Sequence, residues 1–133
     1  MKPMVFFFVD GGCRRNGQSD AEGYASIRVI GRKNRIYRID LANCRTNNEA
    51  EYGAIIMALC MLVEKAPAGM AATIYSDSQH VIGQIRGTRK LKARNLMKFH
   101  LHANILLGAL KNRGVEVHLM KAPREMIVEQ LGH

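Results

Sequence analysis

The chain predicts an α/β fold built on a mixed sheet, and three observations carry that reading. Five short apolar runs, bounded by glycine or by charge, have the length and composition of strands. The first three follow one another with no helical pattern between them, as an antiparallel meander requires. After residue 46 strand and helix patterns alternate, in the order βββαβααβα, as parallel crossovers require.

Each element has its own signal. Met4 to Val9 is short, rich in Phe and Val, and stopped by Gly11-Gly12, so a fully buried strand is expected there. Gly23 to Ile30 and Arg35 to Leu41 flank Gly31-Arg32-Lys33-Asn34, a hairpin turn by composition. Thr46-Asn47-Asn48 offers several N-cap residues, and acids follow in the first turn, where the helix dipole favours them. That helix is expected over about Asn48 to Lys65, ended by Pro67 and Gly69. Ala71 to Ser76 is the fourth strand, and Ser78 to Ile85 a short helix ended near Gly87. Arg94 to Asn112 is a longer helix marked by Leu96, Phe99, Ile105, Leu106 and Leu110, and stopped at Gly114. Val115 to Met120 is the fifth strand, and Pro123 opens a last short helix.

The bulk numbers bound the function. A chain of 133 residues, 47% apolar, fits one domain over residues 1–133 with a real core. Net charge is +9 and the pI about 9.9, which favours a nucleic acid or another polyanion as partner. The three cysteines, Cys13, Cys44 and Cys60, form no C-x-x-C pair and imply no disulfide framework. A reducing compartment fits, with Cys60 a core residue and a chance Cys13–Cys44 pairing left open. The apolar run at the N-terminus falls short of the roughly 7 to 15 residues of a secretory signal. Ala54 to Val63 falls short of the roughly 20 that span a bilayer. A cytoplasmic protein with no membrane partner is expected. No repeat, linker or low-complexity tract interrupts the chain.

Three acids stand out against this basic background. Asp10 and Asp77 each follow an apolar strand run, and Glu51 lies in the first turns of the apolar helix. Carboxylates in such places need partners. If the first and fourth strands are parallel neighbours, Asp10 and Asp77 lie side by side at the sheet edge where α/β folds bind ligands. Clustered carboxylates in a basic protein point to a divalent metal site working on a polyanion. Helical spacing does not choose between two glutamates, since at about 100° per residue Glu49 and Glu51 flank the apolar stripe at nearly equal angles.

The motifs Asp10-Gly11-Gly12-Cys13-Arg14-Arg15-Asn16-Gly17, Thr46-Asn47-Asn48-Glu49-Ala50-Glu51-Tyr52 and Asp77-Ser78-Gln79 resemble type 1 ribonuclease H, in order and over nearly the whole chain. The resemblance implies a ribonuclease H-like fold, with a five-stranded mixed sheet of order 3-2-1-4-5 flanked by helices. It implies an endoribonuclease that hydrolyses the RNA strand of RNA/DNA hybrids with two Mg²⁺ ions, Mn²⁺ substituting, and leaves 5′-phosphate and 3′-hydroxyl ends. It selects Glu51 as the metal-holding glutamate and leaves Glu49 as a solvent-facing dipole partner. Asp10 would bridge both ions, and Glu51 and Asp77 would hold one ion and help orient water and the scissile phosphate. A fourth carboxylate, an Asp in the family, is replaced by Glu129, with Glu125 as a rival. The family's loop histidine is missing between Lys121 and Glu129, where Arg124 stands instead; His118 is expected at the surface or in packing, and His133 is a remote substitute.

Short polar side chains and bare backbone at Gly11, Gly12, Cys13, Asn16, Asn47 and Asn48 could read a hybrid's 2′-hydroxyls. The resemblance implies contacts of Asn16, Thr46 and Asn47 to the DNA-strand phosphate and of Gln79 to the RNA strand, with Arg124 a further substrate-binding residue. No acid lies between Asp77 and Glu116, a stretch holding Arg86, Arg89, Lys90, Lys92, Arg94, Lys98, Lys111 and Arg113. It is either a solvated face or a track for a nucleic-acid backbone. The chain is too short for the extra basic helix of many bacterial members, so a compact form is expected, working as a monomer. Three other readings stand beside this one: a hybrid-binding module without cutting, another polynucleotide nuclease of the same fold, and a flavodoxin-like nucleotide binder. No phosphate-cradling G-x-G-x-x-G or P-loop supports the last.

Overall fold

Strand β1 (Met4–Arg14) forms the middle of a five-stranded sheet in the computed structural model, which describes residues 2–30 and 35–132. It pairs antiparallel with β2 (Glu22–Ile30), which pairs antiparallel with β3 (Arg35–Leu41). On its other side β1 runs parallel to β4 (Ala71–Ser76), which runs parallel to β5 (Glu116–Lys121). The order is β3-β2-β1-β4-β5, as the resemblance implies. The expected hairpin turn at residues 31–34 lies outside the described residues, as does His133.

Alternation in β1 divides the sheet into two faces. Phe7 and Val9 point into the larger core, under helix α1 (Asn47–Lys65) and helix α3 (Met97–Asn112). Phe8 points to the other face, where Ile127 and Leu131 of helix α4 (Arg124–Leu131) and Ala122 form a smaller cluster. Helix α2 (Gln79–Arg86) follows β4, capped by Ser78 and ended by Gly87 in the left-handed conformation. No helix among the described residues is long and apolar enough to cross a membrane.

Two expectations about the elements are corrected. Strand β1 does not stop at Gly11-Gly12; it continues to Arg14, paired with β2 from Phe6↔Ile30 to Arg14↔Glu22. The glycines are there for close approach. A Cβ on Gly11 would lie 2.1 Å from the Ala50 carbonyl oxygen, and one on Gly12 would lie 2.4 Å from the Tyr24 hydroxyl. Only the parallel ladder to β4 ends early, at Phe8↔Tyr75.

The second correction concerns the long helix. It opens as a 3-10 turn over Arg94–Leu96, because neither Ala93 nor Leu96 supplies a side-chain cap and the first turn tightens. Its core stripe is Phe99, Ala103, Leu106 and Leu110, at helical spacing; Ile105 falls beside that stripe and is exposed.

Candidate active site

The three acids singled out by the sequence come together. Ligand oxygens of Asp10, Glu51 and Asp77 all lie within 4.8 Å of one another. Register explains two of them. The parallel ladder ends at Phe8↔Tyr75, and Asp10 and Asp77 each lie two residues farther along their own chain. Period-2 alternation therefore delivers both to the same strand edge.

Glu51 comes from the first turns of α1, and the start of that helix is tightly fixed. Thr46 Oγ1 accepts from Glu49 N at 3.1 Å, and Glu49 Oε1 accepts from Thr46 N at 3.2 Å, a complete capping box. Glu49 Oε1 also accepts from Arg45 N at 2.7 Å, and its Oε2 accepts from Asn95 Nδ2 at 3.2 Å. Glu49 is therefore 7% exposed, which corrects the expectation of a solvent-facing glutamate. The signal for its role is the Thr46-x-x-Glu49 spacing. Gly11 lets the Ala50–Glu51 backbone come down onto β1, next to Asp10.

The cluster is electrostatically strained. Burial, then the carboxylates of Asp10 and Asp77, push the Glu51 carboxyl up to about 8; Arg124 and a hydrogen bond with Ser78 oppose the rise. Glu51 Oε2 and Asp77 Oδ1 are buried without a hydrogen-bond partner. Buried acceptors of this kind are costly unless something electropositive reaches them. Three convergent carboxylates with two such oxygens form a hard, oxygen-only donor set, which fits a divalent cation of the Mg²⁺ or Mn²⁺ type.

Sequence reasoning placed Arg124 at the substrate and missed its contact with these acids. Arg124 Nη1 lies 3.0 Å from Asp10 Oδ1 and 3.2 Å from Asp77 Oδ2. These contacts, above all those to Asp10, hold the guanidinium even more firmly protonated than usual. Nothing in the local pattern announces them, since they depend on where α4 lies over the sheet. Glu129 is not among the clustered acids; it is exposed on α4 and, with Glu125, lines an open groove beside Phe6, Phe8 and Tyr75.

The expected substrate-contacting residues divide by exposure. Asn16, Asn47, Asn48, Gln79 and Arg124 are exposed, Cys13 and Thr46 half-buried, and Gly11 and Gly12 buried. Two of the asparagines lock the loop after β1 to α1: Asn16 Oδ1 accepts from Asn47 N at 2.8 Å, and Asn47 Oδ1 accepts from Cys13 N at 2.9 Å. Cys13 and Cys44 are both free thiols. His118 is exposed on β5 and bonded to Glu116.

All eight basic side chains of the acid-free stretch are exposed. Arg113 is occupied at the C-terminus of α1, donating to the Val63 and Ala66 carbonyls. Arg89 lays its stem over Gly83 and meets His80. Lys90, Lys92 and Arg94 form a basic segment that Asn95 ties, through Glu49, to the start of α1.

Fold and acid cluster together define a nuclease-like α/β domain, and comparison with known proteins agrees. The family model for RNase H matches residues 2–123, and the chain belongs to that family of nucleases. Among solved structures, the N-terminal RNase H domain of rv2228c from Mycobacterium tuberculosis superposes with a TM-score of 0.73 at 24% identity, covering 96% of this chain and 95% of that one. RNase H1 from the halophilic archaeon Halobacterium salinarum NRC-1 gives 0.74 at 21% identity, covering 97% and 92%. LC11-RNase H1, solved in complex with an RNA/DNA hybrid, gives 0.71 at 21% identity, covering 94% and 89%. No curated protein matches this chain in sequence.

Proposed function

We infer that the chain is a single-domain, metal-dependent endoribonuclease that cuts the RNA strand of RNA/DNA hybrids. The observation that carries this is the convergence of Asp10, Glu51 and Asp77 at one sheet edge, with two buried oxygens lacking partners, in a member of the RNase H family. Asp10, Glu51 and Asp77 hold the catalytic metal, taken to be two Mg²⁺ ions or Mn²⁺ in their place. Bound metal supplies charge neutralisation at the scissile phosphate and lowers the pKa of attacking water. The products are a 5′-phosphate and a 3′-hydroxyl.

The chain's own residues do the rest. Asp10 and Asp77 are fixed by register, and Glu51 by the capping box beneath it. The exposed Asn16, Asn47, Asn48 and Gln79 border the cluster's strand and helices and meet the hybrid's sugars and phosphates. Lys90, Lys92 and Arg94 follow its backbone, so affinity falls steeply with salt. The protein works in the cytoplasm as a monomer. That a structural neighbour was solved with a hybrid supports the substrate class.

A labelled RNA/DNA hybrid incubated with Mg²⁺ or Mn²⁺, beside duplex RNA and single-stranded RNA, tests the reading. Cleavage of the hybrid's RNA strand, abolished by chelator, is the expected result. Binding without cutting would instead identify a hybrid-binding module, a reading favoured only by the Arg124 side chain lying across two of the three acids.

A further inference from the structure

The side chain that meets the acid cluster is a cation of the chain itself, and its geometry is specific. One nitrogen, Arg124 Nη1, contacts both Asp10 Oδ1 and Asp77 Oδ2, so it sits just beyond the last β1–β4 pair. The acids are enclosed, with side chains 7% and 18% exposed, whereas the Arg124 side chain is 53% exposed. The guanidinium therefore reaches in from solvent. A guanidinium carries more N–H donors, in its planar fork, than these two contacts through one nitrogen require. Glu51 takes no bond from it, and Glu51 Oε2 stays buried and unpaired. Arg124 thus places its positive charge against two of the three acids, at Asp10 Oδ1 and Asp77 Oδ2, while Asp77 Oδ1 and Glu51 Oε2 stay unpaired.

A carboxylate oxygen that held Mg²⁺ would lie about 2 Å from it, so a guanidinium on the same carboxylates would face a divalent charge at close range. The two positive charges would compete for these carboxylates. The alternative partner for a planar, always-charged fork is a phosphate, which arginine binds bidentately. Arg124 opens α4 directly after Pro123, on the solvent side of the cluster, where a polyanion approaching Asp10 and Asp77 arrives first.

We propose that Arg124 is an exchange residue, which leaves the Asp10 and Asp77 carboxylates for a substrate phosphate and so makes divalent-metal binding and nucleic-acid binding support each other. This rests on the nuclease reading above and adds a role that the acids alone do not supply. Without nucleic acid Arg124 competes with the metal. With nucleic acid it is drawn off the carboxylates and holds the phosphate beside them.

The experiment titrates Mn²⁺ by calorimetry into the wild type, R124Q and R124K without nucleic acid, with circular dichroism to verify folding. Steady-state cleavage of an RNA/DNA hybrid is then measured for all three. A charge-assisted contact from a half-exposed side chain corresponds to about tenfold in competing affinity. R124Q is expected to bind Mn²⁺ about that much more tightly than wild type, yet to cleave with a raised KM. R124K, which keeps a cation there, is expected to restore weak Mn²⁺ binding and part of the KM. Equal Mn²⁺ affinity in all three proteins would overturn the exchange while leaving the nuclease reading intact. Tighter Mn²⁺ binding by R124Q, with a wild type that never cuts hybrid, would uphold the competition and sink the nuclease reading. Absence of Mn²⁺ binding in every protein would overturn the exchange, and with uncut hybrid would end the nuclease reading as well.

Discussion

Two helices approach the acid cluster, and they do so on different terms. Helix α1 is 19 residues long, starts with a complete capping box, and presses its backbone onto Gly11. Helix α4 is 8 residues long, starts at Pro123 without a side-chain cap, and meets the cluster through the side chain of Arg124. One side of the site is built from backbone contacts that cannot shift without moving a core element. The other is a half-exposed side chain on a small, lightly packed helix. A cluster of acids needs the first kind of support to stay convergent, while a group that changes partners needs the second.

The strongest way to break the α1 side is to remove a clustered acid. Asp10→Asn is expected to reduce hybrid cleavage by at least about a thousandfold while leaving circular dichroism unchanged, since charge and not shape is lost. Full activity in that variant would remove the metal assignment.

Gly11→Ala tests the backbone contact. The added methyl meets the Ala50 carbonyl, so α1 and β1 must separate. The expected cost is about 2 kcal/mol or more in urea unfolding, with cleavage falling as Glu51 withdraws from Asp10. An unchanged midpoint would mean that α1 is not held where the structure places it.

The pH dependence of stability isolates Glu51. Its carboxyl titrates near 8 in the folded protein, against 4.5 for an unperturbed glutamate. Between those values the folded state keeps a proton that the unfolded chain has lost, so stability falls as pH rises through that window. In chelator, melting temperatures are expected to decline from pH 5 to pH 8, and Glu51→Gln to flatten the decline. A wild type equally stable at both ends would contradict the burial.

Thr46→Ala removes half of the capping box and is expected to lower stability by about 1 kcal/mol, read as a shift in urea midpoint. The smallest effect is expected on the α4 side. Glu129 lines the groove and not the cluster, so Glu129→Gln should leave cleavage and Mn²⁺ affinity close to wild type. A large loss would show that Glu129 joins the acids once substrate is present, and would redraw the comparison.

Much of this was legible in the residues. Strands β3 and β4 fall on the spans read from composition, because apolar runs bounded by turn residues leave few alternatives. Asp10 and Asp77 were legible as neighbours once the first and fourth strands were taken as parallel. Three things were not. Gly11 and Gly12 normally punctuate a strand; here they continue one, for the sake of a helix and a tyrosine that approach from elsewhere in the chain. Glu49 and Glu51 have equivalent angles on α1, so helical angle did not separate them; the Thr46-x-x-Glu49 spacing was the signal for Glu49, while its bond from Asn95 depends on tertiary placement. Arg124 meets Asp10 across 114 positions of sequence, through the placement of a helix whose own pattern says nothing of its neighbours.

That placement has a mooring. An isolated helix shorter than about 12 residues is marginal in water, and α4 is well below that. Its last carbonyls are held by the meander: Arg28 Nη1 donates to the Gln130 carbonyl at 3.1 Å, and Arg38 Nη2 to the Leu131 carbonyl at 3.0 Å. Two cations thus sit at the negative end of the helix dipole and satisfy acceptors that the helix cannot. How far Arg124 can reach is therefore set at the opposite end of its helix, by strands β2 and β3. Amide exchange in α4 should follow the opening of those outer strands, so that loosening one side of the sheet would slacken a side chain above its centre.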